Sequence, residues 1–185
     1  MPADCPCCAG EALPGRRRLL LGALACVAFP GVAAQAAAQP ERRLHILRVQ
    51  TGDRFGGVYW RDGCYDRDAL RRLDWVMRDP RQAEATPMDP RLFDVLNAVA
   101  LRLDAGGPFH INSGYRAPAT NALYARRSSR VSQISLHMSG MAADLSLPGR
   151  DPVAVARVAA AMQVGGVGLY REGFVHLDCG PARRW

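Results

Sequence analysis

The chain has no lysine. All 24 of its basic residues are arginine, set against 17 acidic ones, for a formal net charge of +7. An all-arginine set points to GC-rich coding more than to a specialised surface. A positive balance suits nucleic acid, an anionic membrane surface or an acidic polymer. Binding nucleic acid would call for cations interleaved with exposed aromatics. Aromatics are scarce, at 7% of residues, and the one tight basic cluster, Arg126-Arg127-Ser128-Ser129-Arg130, contains none. That cluster reads as a solvated loop, and no nucleic-acid partner is expected.

Other absences narrow the field. The longest apolar run, Leu19 to Ala34, is broken by Pro30 and Gly31. It is shorter than the roughly 20 residues a spanning helix needs, so no stable membrane span is expected. No internal repeat is visible, which argues against a solenoid or array. No compact His-Glu-x-x-His pattern occurs, so a metal site on a single helix is not indicated. Cys5-Pro6-Cys7-Cys8 has no matching second pair and does not make a metal cluster.

What remains suits one globular domain. The length of 185 residues is enough for one core and short for two, and 49% of residues are hydrophobic. Residues 1–38 read as an export segment and residues 39–185 as the folded body. Arg16-Arg17-Arg18-Leu19-Leu20-Leu21 followed by an Ala-rich apolar run resembles a twin-arginine signal, with Ala34-Gln35-Ala36 as a small-x-small cleavage site. The expected destination is therefore the periplasm. Cys26, after the small residue Ala25, raises lipid anchoring as the competing outcome. Cys64 and Cys179 remain in the body, where an oxidising compartment would permit a bridge between them.

Hydrophobic patterning lays out the body. Residues 44–49 and 55–60 alternate around Gly52-Asp53, as a hairpin does. Asp66 or Asp68 caps a helix through Met77, and Asp79-Pro80 ends it. Asp89-Pro90 opens a second helix that runs to Leu103, stopped by Gly106-Gly107-Pro108. Residues 109–112 form a short strand, 120–127 a short helix, 128–141 a loop and 142–147 a strand. Asp151-Pro152 opens a helix to about Met162. Residues 165–170 and 174–178 read as a closing antiparallel pair. The class is α+β, a small antiparallel sheet with helices packed on it, and a monomer is expected.

The chemistry-bearing segment is Ser135-Leu136-His137-Met138-Ser139-Gly140-Met141-Ala142-Ala143-Asp144. His137 ends a loop, Asp144 follows seven residues later at the start of a strand, and Gly140 allows a sharp turn between them. His176 lies 32 residues beyond Asp144, inside an apolar strand. Two neutral imidazoles and a carboxylate make a normal catalytic zinc set with one position left open. Spacing alone does not establish it. A lone histidine in an apolar strand is usually a satisfied core residue, and an aspartate at a strand start often caps a loop.

The combination is more specific than its pieces. Ser113-Gly114-Tyr115-Arg116, Pro118, Asn121, Ser135-x-His137-x-x-Gly140-x-Ala142-x-Asp144, Gly166-Val167-Gly168-x-Tyr170 and Phe174-Val175-His176-x-Asp178 occur in that order. Together they resemble the zinc D-alanyl-D-alanine carboxypeptidase and dipeptidase family, and within it the murein endopeptidase K-like branch, over roughly residues 41–185. The resemblance implies a hedgehog-like zinc peptidase fold and hydrolysis of peptidoglycan peptides, with Zn2+ held by His137, Asp144 and His176. It implies that Arg116 binds a substrate carboxylate or the scissile carbonyl. An arginine fork suits either role. Tyr115 and Ser135 stand beside Arg116 as substrate-side candidates, and with Asn121 they read chiefly as groups that hold the neighbouring loops. Asn121 and His110 read as supporting residues.

One position departs from the pattern. Many relatives carry a glutamate three residues before the last histidine, as the base for water, and here that residue is Gly173. In an extended strand Phe174, His176 and Asp178 share a face. Asp178 is therefore the expected catalytic carboxylate, as base or as a group orienting an imidazole, and Glu172 is the other carboxylate within reach. Within the same fold, two competing activities stand beside cross-link hydrolysis: removal of terminal D-alanine, and non-catalytic wall binding.

Overall fold

The computed structural model describes residues 40–129 and 131–185. The export segment, the cysteines before residue 40 and the lipid-anchor alternative lie outside the described residues. Among the described residues, no helix is long and apolar enough to cross a membrane.

The first hairpin joins β1 (Arg42–Arg48) to β2 (Arg54–Arg61), antiparallel, with Gly52 at φ +76 in the connection. Leu44 and Ile46 alternate inward and are 2% and 1% exposed. β3 (Cys64–Tyr65) adds to β2, and α1 (Arg67–Met77) follows. Asp66 caps α1: its carboxylate accepts from the backbone N–H groups of Asp68 and Ala69, both at 2.9 Å. Asp89 caps α2 (Pro90–Arg102) and Asp151 caps α4 (Pro152–Met162) in the same way, each with proline at the first helical position. Each such cap contributes about 1 kcal/mol.

β4 (Phe109–Ser113), α3 (Pro118–Arg127), β5 (Ala142–Ser146), β6 (Gly166–Leu169), β7 (Val175–Asp178) and β8 (Arg183–Arg184) complete the chain. The strands form one sheet in the order β3-β2-β1-β4-β5-β7-β6-β8. α1 packs on β2, α4 on β6, and α2 reaches β1, β7 and α4. Leu92, Phe93 and Leu96 of α2 are fully buried against this sheet. Burial of side chains this size stabilises by about 1.5–3 kcal/mol each.

The α+β class stands. The sheet is larger than the sequence suggests and is mixed: β1 pairs parallel with β4, and β6 parallel with β8. The first parallel pair is possible because α1 and α2 supply the long crossover that parallel neighbours require. β3 and β8 have two residues each, too few to produce an alternation signal. α3 starts at Pro118, two residues before the expected Thr120, because proline is preorganised for a first helical position. Cys179 is a buried free thiol and is not bridged to Cys64. Burial pushes that thiol's pKa up to about 12.

Candidate metal and catalytic site

β5 sits in the middle of the site and explains its assembly. Asp144 pairs across the sheet with Ser113 of β4 on one side and His176 of β7 on the other. Residues far apart in sequence are therefore lateral neighbours, with cross-strand side chains about 4.5–5.5 Å apart at Cβ. His137 arrives separately, on a single 3₁₀ turn (Leu136–Ser139) just before β5. Ser135 caps that turn, and Gly140 ends it in the left-handed region at φ +67. A side chain at Gly140 would also press on the Pro87 carbonyl, at 2.9 Å.

The segment before Arg116 is pinned from both sides. Tyr115 N–H donates to the Met77 carbonyl at 2.7 Å, and Arg116 N–H donates to the His137 carbonyl at 3.2 Å. Gly114 lies flat against the end of α1, where an added methyl would overlap the Met77 carbonyl. Its own carbonyl accepts from His137 Nδ1 at 2.7 Å. That bond fixes the tautomer, so His137 presents an Nε2 lone pair to its neighbours.

Three donor atoms converge. His176 Nδ1 lies 2.9 Å from Asp144 Oδ1, and His137 Nε2 lies 3.3 Å from both. A tetrahedral zinc with bonds of about 2.0–2.1 Å has ligand–ligand edges of about 3.3 Å, so this triangle fits one face of such a site. Among the described residues these three form the group able to hold a metal ion. His110, on β4, is not part of it.

The electrostatics match. Burial alone would raise the Asp144 carboxyl, yet the two imidazoles hold its pKa well below the usual range. Burial opposes charge on His176, but Asp144 and Asp178 raise its pKa above the ordinary value. An ionised carboxylate beside two imidazoles is the donor set a divalent cation takes.

Behind His176 stands Asp178. Its Oδ2 lies 3.1 Å from His176 Nε2, the ring nitrogen turned away from the cluster. Its Oδ1 accepts from the backbone N–H groups of Gly166 and Gly180, both at 2.9 Å, and the Arg183 guanidinium braces both oxygens at 2.7–3.2 Å. The side chain is fully buried. Burial raises its pKa, and these bonds more than reverse that, leaving it well below the ordinary value. The expectation that Asp178 would take a proton from water does not fit this placement. The strand rule put it on the correct face but could not show that its lone pairs are already occupied.

The open side is a cleft of about 690 Å³, whose lining includes Arg116, Ser135, His137, Asp144, Glu172 and His176. Arg116 is braced: one Nη2 reaches Asp144 Oδ2 at 3.4 Å and Ser113 Oγ at 3.3 Å, and Nη1 donates to Asn121 Oδ1 at 3.2 Å. Asn121 in turn holds the 128–135 loop through the Ser132 carbonyl at 3.0 Å. Tyr115 does not reach the cleft. It is 6% exposed and donates its hydroxyl to Glu84 at 2.8 Å, tying down the loop after α1. Its expected place on the substrate side is therefore corrected: its neighbour Arg116 faces the cleft, and Tyr115 faces the core.

Glu172 sits on the β6–β7 connection. Tyr170 N–H donates to the Phe174 carbonyl and Gly173 N–H to the Tyr170 carbonyl, both at 3.1 Å, closing a three-residue loop. Such loops end in a left-handed residue, and Gly173 has φ +84. A glutamate at 173 would be strained, whereas position 172 carries its carboxylate to the exposed cleft wall. Two cleft residues had no signal in the sequence, Arg183 and Trp185, because they lie on or beyond a strand too short to show a pattern.

The chain is similar to known proteins over most of its length. A family model described as peptidoglycan L,D-endopeptidase MepK, of the M15 peptidases, matches residues 35–185. The chain is 35% identical to the peptidoglycan L,D-endopeptidase MepK of Escherichia coli (strain K12), over 92% of this chain and 96% of that one. It is 32% identical to the probable peptidoglycan L,D-endopeptidase MepK of Haemophilus influenzae, over 92% of this chain and 94% of that one.

Proposed function

The chain belongs to the peptidoglycan L,D-endopeptidase MepK family of M15 peptidases, and we propose that it is a zinc-dependent hydrolase that opens L,D-linked peptide cross-links in peptidoglycan. The observation that carries the metal assignment is the triangle of His137 Nε2, Asp144 Oδ1 and His176 Nδ1, with edges of 2.9–3.3 Å beside an open cleft.

When bound, zinc supplies Lewis acidity to the scissile carbonyl and to the attacking water. His137, Asp144 and His176 hold it. Gly114 and Asp178 orient the two imidazoles from behind, through the ring nitrogens that face away from the cluster. Glu172 takes the proton from water and delivers it to the leaving amine. Arg116 faces the carbonyl oxygen as it gains charge. Its bonds to Ser113, Asp144 and Asn121 engage three of its five N–H groups, leaving one on Nη1 and the one on the buried Nε. Ser135 shapes the loop that bears His137 and contributes to the cleft wall.

The substrate lies outside the cytoplasm. The arginine run Arg16-Arg17-Arg18 and the apolar stretch after it support export by a twin-arginine route, with cleavage after Ala36 favoured over lipid attachment at Cys26.

The test is incubation of the purified, metal-loaded protein with purified cross-linked muropeptide dimers, with and without chelator, read by mass spectrometry. The expected result is monomers from dimers, lost with chelator and restored by zinc. Release of terminal alanine alone would replace this reading with a carboxypeptidase. Sedimentation with the wall and no cleavage would replace it with a binding module.

A further inference from the structure

Trp185 is held in an unusual way for an exposed aromatic. Its backbone is locked to β6 by two hydrogen bonds, Trp185 N–H to the Val167 carbonyl and Leu169 N–H to the Trp185 carbonyl, both at 3.1 Å. Its indole N–H donates to the Tyr170 hydroxyl at 3.2 Å. The ring centre lies 5.1 Å from that of His176, and the Arg183 guanidinium carbon lies 5.1 Å from the indole. A side chain at Gly168 would strike the indole at 2.6 Å, so the ring's position depends on that glycine. Yet the residue is 52% exposed and is part of the cleft lining.

Tyr170 and Phe174 stack on each other at 4.5 Å and line the same cleft. In a chain with 7% aromatic residues, three at one cleft wall is a concentration. A rigid, half-open indole offers apolar contact at little cost in conformational freedom. The distance to His176 limits what can touch it. Successive Cα atoms of a peptide are about 3.8 Å apart, so a ring about 5 Å from a group at the reacting bond meets the residue flanking that bond.

We propose that Trp185 is a specificity-determining residue that receives the hydrocarbon side arm of the substrate residue next to the scissile bond, with Tyr170 fixing the angle of the indole. This rests on the peptidase reading and adds to it the subsite that selects the peptide.

The test compares Trp185→Ala and Trp185→Phe with the unaltered protein. Three readouts are taken: KM and kcat on cross-linked muropeptide dimers, zinc affinity by chelator competition, and the change in tryptophan fluorescence when uncleaved dimers are added to metal-stripped protein. Trp185→Ala is expected to raise KM about tenfold, the scale of losing one aromatic contact face, with kcat and zinc affinity little changed. Trp185→Phe keeps an aromatic face, so KM should return to within about threefold while the fluorescence change disappears. Unchanged KM in Trp185→Ala, or a fluorescence change that survives Trp185→Phe, would overturn the proposal. A fall in zinc affinity equal to the loss of activity would also overturn it, by showing that the indole serves only to hold His176. Dimers that alter Trp185 fluorescence but are never cleaved by the loaded protein would sink the peptidase reading and leave the subsite standing.

Discussion

The two carboxylates nearest His176 in sequence occupy opposite environments. Asp178 stands behind the cluster, fully buried, with its oxygens taken up by an imidazole, two backbone N–H groups and an arginine. Glu172 stands in front, on an exposed three-residue loop at the cleft. A buried, fully bonded carboxylate holds geometry, and its depressed pKa makes it a poor proton acceptor. An exposed one at the cleft is reached by water. The same division runs through the rest of the site. Gly114, Tyr115, Asn121 and Asp178 build a rigid rear, while Arg116, Glu172 and Trp185 line the cleft.

Substitutions should separate the two regions by what each one loses. The largest effect belongs to the shared centre. His137→Ala should remove bound zinc and lower cross-link hydrolysis by at least about 10³-fold, the scale of several kcal/mol of charge stabilisation. Metal analysis and mass spectrometry of dimer products on one sample would check both. At the front, Glu172→Gln should lower kcat by about 10²–10⁴-fold with zinc content unchanged. At the rear, Asp178→Asn should weaken zinc by about 10–100-fold, measured against a chelating dye.

Further from the metal, the effects move from chemistry to stability. Gly114→Ala forces a methyl against the Met77 carbonyl and should cost about 1–3 kcal/mol in urea denaturation. Tyr115→Phe removes the hydrogen bond to Glu84 and should cost about 1 kcal/mol. Its KM should stay at the unaltered value. A raised KM in Tyr115→Phe would return that residue to the substrate side.

Much of this architecture is written locally. The capping aspartates Asp66, Asp89 and Asp151 each precede an apolar stripe, and each cap forms as its chemistry requires. The hairpin turn at Gly52 and the antiparallel β6–β7 pair are legible for the same reason. Strand order is not, because the β1–β4 and β6–β8 pairings depend on where a crossover lands rather than on the pattern of either strand.

The site divides in a similar way. Nothing in the spacing of His137, Asp144 and His176 brings them together. That follows from β5 lying between β4 and β7, and it was legible through the resemblance of the whole motif series. Tyr115 went astray because adjacency to Arg116 says nothing about which way a side chain turns. The loop expected over residues 128–141 hides a short helical turn that delivers His137, too brief for a periodic signal. Gly173 looked like a missing base. Its φ of +84 marks a hairpin loop that favours glycine there, with Glu172 one position earlier.

The most direct measurement is zinc content and dimer turnover determined together for Glu172→Gln and Asp178→Asn. The account predicts that Glu172→Gln keeps its zinc and loses turnover. It predicts that Asp178→Asn loses zinc affinity and recovers much of its turnover when zinc is raised to saturation. Full turnover in Glu172→Gln, together with a zinc-saturated Asp178→Asn that stays inactive, would contradict it and make Asp178 the proton acceptor.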